Sequence, residues 1–403
     1  MSKSKNTITD SDMTTGTDES ADSPGRTKRI MISAGEASGD LHAANLVKAL
    51  RAITPAIEVT GMGGDKLREA GAVLQVDCAD MAVVGIVEVL ANLRSIMRNL
   101  NKLRDELKHN PPDLLILVDY QEFNFKLAKA AKQCGVKVLF YISPQVWAWR
   151  PYRVHKIGKL IDMMAVLFPF EEKFYKKANV PVRFVGNPLV DEAKPSQSKA
   201  ETLQRHQLDA SKKVIGLFPG SRKNEIKRIL PTQLKAADLL QQKQPELQFI
   251  LPIASTIDDG DIRPHLDEHK TLNIRAVKDH VYNVMQACDA IITASGTATL
   301  EIALMGIPNV ITYEISPISY FILKRLVSID NIGLVNIVAE KGIVKEFIQH
   351  EATAENIAGE IDHLLTDDQY RNTMIAELNQ VRARLGKEGG SNNIAQLAYE
   401  MLE

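Results

Sequence analysis

Three acids in this chain stand where a parallel sheet would present them to a ligand. The run at 114–118, L-L-I-L-V, reads as a buried strand, and Asp119 follows it directly. An acid there sits at the carboxyl edge of the sheet, where it can take a proton from an incoming hydroxyl. Glu36 lies in the turn S-A-G-E-A-S-G-D at 33–40, after the apolar run at 30–33, and its two glycines permit close approach of a ligand. Glu122, three residues past Asp119, is a third possible base. Asp40 reads more simply as a helix cap, and His42 as a surface histidine.

The second half carries turns of the opposite chemistry. The run at 214–218 leads into P-G-S-R-K-N-E at 219–225, and the run at 290–293 leads into S-G-T at 295–297. Each then takes on a helical pattern, which places backbone N–H groups at a helix N-terminus where a phosphate can sit. With the Arg222 guanidinium added, Ser221, Arg222, Ser295, Gly296 and Thr297 form a candidate diphosphate set. Glu301 lies one turn into the later helix, within reach of a ribose diol. Either turn alone would pass for an ordinary capped junction. Their recurrence in one half favours a ligand site.

Positioning these groups requires alternating strands and helices. Short apolar runs at 30–33, 57–60, 114–118, 136–141, 163–167 and 182–185 alternate with amphipathic segments, and the pattern restarts at 214–218, 249–252, 274–277, 290–293 and 310–313. The fold class expected is α/β, with two Rossmann-like parallel-sheet domains facing a cleft. The divisions expected are a disordered tail at 1–27, a first domain at 28–190, a linker at 191–212, a second domain at 213–375, and C-terminal helices at 376–403 that pack on the first domain or on a partner.

Composition narrows the function. With 403 residues, a net charge of -1 and 5% aromatics, the chain lacks the basic field and stacking platforms of a nucleic-acid binder. Its three cysteines form no metal-spaced pair, which suits a reducing cytoplasmic compartment. Nine scattered histidines and the lack of an Asp-x-Asp after a strand point to chemistry without a metal or other cofactor. No apolar run approaches the ~20 residues of a membrane span. The stretch from Met81 to Met97 is nonetheless unusually greasy, with Val84, Ile86, Val87, Leu90 and Met97 interleaved with Arg94 and Arg98. It reads either as a buried helix with a solvated basic face or as a surface for acyl chains and anionic lipid. In S-P-Q-V-W-A-W-R at 143–150, Trp147 and Trp149 suit stacking on a ligand or a packed core pair. Arg150, Arg153, His155, Lys156 and Lys159 follow as a basic cluster for an anionic acceptor.

Taken in order, the motifs at 34–40, 84–90 (V-G-I-V-E-V-L), 143–149, 219–222, 295–297 and 336–346 resemble the bacterial lipid-A-disaccharide synthase family, glycosyltransferases of the GT-B fold. The resemblance runs from Arg29 to the C-terminus. It implies inverting transfer of 2,3-diacylglucosamine from its UDP donor to 2,3-diacylglucosamine 1-phosphate, giving a β-1,6 disaccharide and UDP. It makes Asp119 the expected base with Glu36 and Glu122 as rivals, and adds Asn336 and Glu346 to the donor pocket. It assigns the 81–97 stretch, with Trp147 and Arg150, to the acceptor, its acyl chains or the membrane, and implies a peripheral inner-membrane protein, monomer or homodimer. One departure is Gln121, where the family commonly has proline. Other UDP-sugar enzymes of this fold, such as UDP-N-acetylglucosamine 2-epimerases, would not need the greasy stretch.

Overall fold

The computed structural model describes residues 26–81, 86–316 and 331–403, with the side chains of 80–92 and 149 outside that description. Of the expected tail, 1–25 therefore lies outside the described residues. Strands β1 (Lys28–Ala34), β2 (Ile57–Gly63), β3 (Val73–Asp77), β4 (Leu114–Val118), β5 (Lys137–Tyr141), β6 (Met163–Val166) and β7 (Val182–Phe184) form a parallel sheet of order β3-β2-β1-β4-β5-β6-β7. Strands β8 (Val214–Phe218), β9 (Gln248–Pro252), β10 (Ile274–Val277), β11 (Ala290–Ala294), β12 (Asn309–Tyr313) and β13 (Glu346–Ile348) form a second, of order β10-β9-β8-β11-β12-β13. β4, β8 and β11 are buried along their whole length, which is why they read as unbroken apolar runs.

Each strand order reverses once, between β1 and β4 and between β8 and β11, and ligands bind at such reversals. Register makes the point local. Ala34 pairs with Val118, so Gly35–Glu36 and Asp119 leave the first sheet side by side. Phe218 pairs with Thr293, so the 219–222 and 295–297 turns leave the second sheet side by side. The edge strands β3 and β13 escape the sequence reading: β3 buries only Val76, and β13 is three half-buried residues.

The final helix, Gly390–Leu402, packs on the chain's own first half. Ile394, Leu397 and Ala398 enter the core that also holds Leu46 and Leu50 of the helix Ala37–Ile53. Lys28 and Lys137 donate to its last carbonyls, at Leu402 and Met401. The preceding helix, Asp368–Arg384, gives Met374, Leu378 and Val381 to the second core, so the expected division at 375/376 falls inside one element. The expected linker at 191–212 is also structured: Leu203 and Leu208 are buried in the second core.

Candidate active site

At the first reversal a buried amide organises the acids. Ser33 Oγ donates to Asn124 Oδ1 at 2.6 Å, while Asn124 Nδ2 donates to the Asp119 carbonyl at 2.7 Å and to those of Ser33 and Val118 at 3.3 Å. This fastens the end of β1 to the end of β4. Asp119 and Tyr120 then take φ of +48° and +45°, a left-handed pair costing about 1–3 kcal/mol each outside glycine. The Tyr120 ring lies against Gly35 so closely that a Cβ at Gly35 would overlap it. The glycine is there for that ring.

Asp119 and Glu36 border one cavity of about 440 Å³, whose other wall is Leu93, Ile96 and Leu100 from the helix Ile86–His109. Burial, and secondarily the neighbouring Glu36, push the Asp119 carboxyl above the usual range. Glu122 also borders this space, but it is exposed and ion-paired to Arg153, which weakens its case as a base. Gln121 opens the helix Gln121–Gln133, a first-turn position that proline also fills without loss. The greasy stretch thus reaches the acids through its C-terminal part. Met97 is half-buried against the core of Leu100, Leu103 and Phe123; Val84 lies outside the described residues, and Ile86, Val87 and Leu90 are on this helix with side chains outside the description. Trp147 packs edge-on to Phe170 at 4.9 Å, with Phe168 stacked on the same ring, and Arg150 is exposed. Asp40 caps a different helix from its own, accepting from the N–H groups of Gly64 at 2.6 Å and Lys66 at 3.0 Å. His42 is half-buried against the Tyr141 ring edge, and that burial lowers its pKa.

At the second reversal a cavity of about 590 Å³ is lined by both turns, by Glu301, and by Ile253 and Asp279. The N–H groups of Gly296, Thr297 and Ala298 have no partner among the described residues. Tyr282 donates to Glu301 Oε1 at 3.1 Å, while burial raises the Glu301 carboxyl. The other turn differs from expectation. Glu225 Oε2 already accepts from Ser221 N at 3.0 Å and Arg222 N at 3.2 Å, and its Oε1 takes the Arg222 guanidinium at 2.8 Å. This turn is not an open nest; what it keeps for an anion is the Ser221 hydroxyl and the rest of the Arg222 guanidinium.

These two edges belong to a known lineage. The family model for lipid-A-disaccharide synthetase matches residues 30–400. The chain belongs to this family. Lipid-A-disaccharide synthase from Geobacter metallireducens is 53% identical over 375 residues, 93% of this chain and 97% of that protein. Its namesake from Geobacter sulfurreducens is 52% identical over 374 residues, again 93% and 97%. A putative UDP-N-acetylglucosamine 2-epimerase from Listeria monocytogenes superposes with a TM-score of 0.65 over 94% of this chain and 97% of its own, at 14% identity, a likeness of fold alone. The architecture is GT-B: two parallel-sheet α/β domains.

Within this lipid-A-disaccharide synthase framework, Asn336 and Glu346 depart from the expected donor contact. Asn336 is fully buried; its Oδ1 accepts from Ile343 N and Val344 N at 2.9 Å, and its Nδ2 donates to Val344 O at 2.8 Å and Glu346 Oε1 at 2.7 Å. Glu346 also accepts from Ile332 N and Gly333 N, and the Ile332 carbonyl receives Ser295 Oγ at 3.1 Å. Neither side chain borders the 590 Å³ cavity; together they pin the backbone beneath the Ser295 turn. Asn336→Ala strands the buried Val344 N–H, since Ile343 N keeps the Lys341 carbonyl, and should cost about 1–3 kcal/mol, read as a lowered melting temperature. An unchanged melting temperature would contradict this. Asn124 and Glu225 are residues of the two candidate sites that sequence reading passed over. For Glu225 the signal was present, an acid three residues after the helix cap Arg222. Among the described residues, no group of three His, Cys, Asp or Glu could hold a metal, and no helix is long and apolar enough to cross a membrane.

Proposed function

We propose that this enzyme moves 2,3-diacylglucosamine from UDP-2,3-diacylglucosamine to the 6-hydroxyl of 2,3-diacylglucosamine 1-phosphate, forming the β-1,6 disaccharide 1-phosphate of lipid A biosynthesis. The observation that carries the reading is the pairing of chemistries across two sheet reversals. A desolvated carboxylate with an apolar wall stands at one, and a guanidinium with free N–H groups at the other. Asp119 takes the acceptor hydroxyl proton as its oxygen attacks the anomeric carbon. The bond from that carbon to the diphosphate breaks in the same displacement, so the centre inverts and the electron pair leaves on UDP. Arg222 and the N–H groups at 296–298 stabilise the departing charge, and Glu301 holds the ribose. The leaving group needs no divalent metal in this scheme, so the rate should survive EDTA. Disaccharide formation from the two defined lipids tests the reading.

Leu93 and Ile96 give the acyl chains a surface beside the base, backed by the buried Leu100. The rest of the 81–97 stretch, with Arg94 and Arg98, holds the protein peripherally on the cytoplasmic face of the inner membrane. Wild-type protein should float with anionic phospholipid vesicles, and a folded Val84→Ser, Ile86→Ser, Val87→Ser variant should not. Equal flotation of both would refute this attachment.

A further inference from the structure

Next to the two-carboxylate cavity lies a hollow of about 260 Å³ that the steps above leave unused. Two helices wall it. Gln121–Gln133 brings Lys126 and Lys129, and Arg153–Gly158 brings Arg153 and Lys156, each pair at three-residue spacing on one helix face. Phe125, Ile157 and Leu160 supply an apolar base, with the Arg153 guanidinium 5.6 Å from the centre of the Phe125 ring. Arg153 pairs with Glu122, but among the described residues Lys126, Lys129 and Lys156 have no carboxylate within ion-pairing distance. Four cations against the single Glu122 carboxylate leave three unpaired positive charges around one small space, and a bound anion offsets their repulsion. Glu122 and Lys126 border both this hollow and the cavity of Asp119, so the two spaces adjoin.

We propose that this hollow is the subsite for the phosphate monoester of the acceptor. The identification rests on the acceptor reading given above. Lys129, Lys156 and Arg153 face the phosphate oxygens, Lys126 stands at the junction, and the Phe125 side receives the apolar atoms beside the anion. A phosphate anchored here, with the sugar lying toward Asp119, fixes which hydroxyl the base meets. The hollow therefore sets acceptor register as well as affinity.

The test compares the phosphorylated acceptor with the same diacylglucosamine lacking its phosphate, both in neutral detergent micelles, for wild type, Lys129→Ala, Lys156→Ala and the double variant. Each single change should lower kcat/KM for the phosphorylated acceptor roughly tenfold, mainly through KM, and the double variant roughly a hundredfold. The preference for the phosphorylated over the unphosphorylated acceptor should shrink by the same factors, with UDP affinity and melting temperature unchanged. Parallel losses on both acceptors, or no loss, would overturn the assignment while the transferase reading stood. So would a loss seen only on anionic vesicles, which would give the hollow to membrane phospholipid. A wild-type enzyme that forms no disaccharide would overturn both.

Discussion

Replacing Asp119 with Asn should lower kcat roughly a thousandfold while leaving the affinity for UDP in place. The fold should tolerate the change, because asparagine adopts the left-handed backbone that Asp119 occupies at φ +48° at least as readily as aspartate. The direction of the pKa shift makes the test sharper. Burial first, and Glu36 second, disfavour the charged form of Asp119. A carboxyl raised in the folded state favours folding fully only below its unfolded pKa, and that contribution fades as pH rises through the folded value. Removing it should leave neutral-pH stability level or slightly higher. Because a base acts when ionised, kcat/KM should climb with pH through a value above the ordinary carboxylate range. Glu36→Gln removes the like charge and should move that limb to lower pH. If Asp119→Asn keeps more than about a tenth of the rate, the proton goes elsewhere, to Glu36 or Glu122.

Arg222→Ala should cost roughly a hundred- to a thousandfold in kcat/KM. Its side chain is 81% exposed and its one ion pair among the described residues is with Glu225, so little folding stability depends on it. A loss of activity without a lowered melting temperature is therefore the expected signature. Lysine should restore only part of the rate, since a point charge cannot hold Glu225 and a phosphate oxygen with the same fork of donors. If Arg222→Ala turns over normally, the diphosphate is carried by the N–H groups of Gly296, Thr297 and Ala298 alone.

Where the sequence was legible, one residue's surroundings followed from its neighbours along the chain. β4 and β11 are buried on both faces, so their apolar runs announced them, and what comes next at Asp119 and Ser295 is fixed at the sheet edge by chain continuity. Edge strands β3 and β13 left no comparable pattern, β3 being broken by Gln75 and β13 only three residues long and opening on Glu346. The site residues divided in the same way. Asp119, Glu36 and Arg222 could be located because each follows a strand within four residues, and Glu301 because it lies one turn into the helix after β11. Asn336 and Glu346 could not, because their partners depend on how the short helix Leu334–Ala339 and the start of β13 fold back on each other. Asn124 bonds to Ser33, 91 residues away, a pairing no local pattern contains. Glu225 shows the remaining ambiguity. A Gly-Ser-Arg turn reads the same whether its N–H groups await a phosphate or already hold a carboxylate.

The most direct measurement supplies purified protein with UDP-2,3-diacylglucosamine and 2,3-diacylglucosamine 1-phosphate in the presence of EDTA, and determines the product's linkage and anomeric configuration by NMR. A β-1,6 disaccharide 1-phosphate formed in step with UDP is the predicted result. UDP-sugar that binds but is returned unchanged, or a disaccharide with retained configuration, would contradict the single displacement placed between Asp119 and Arg222.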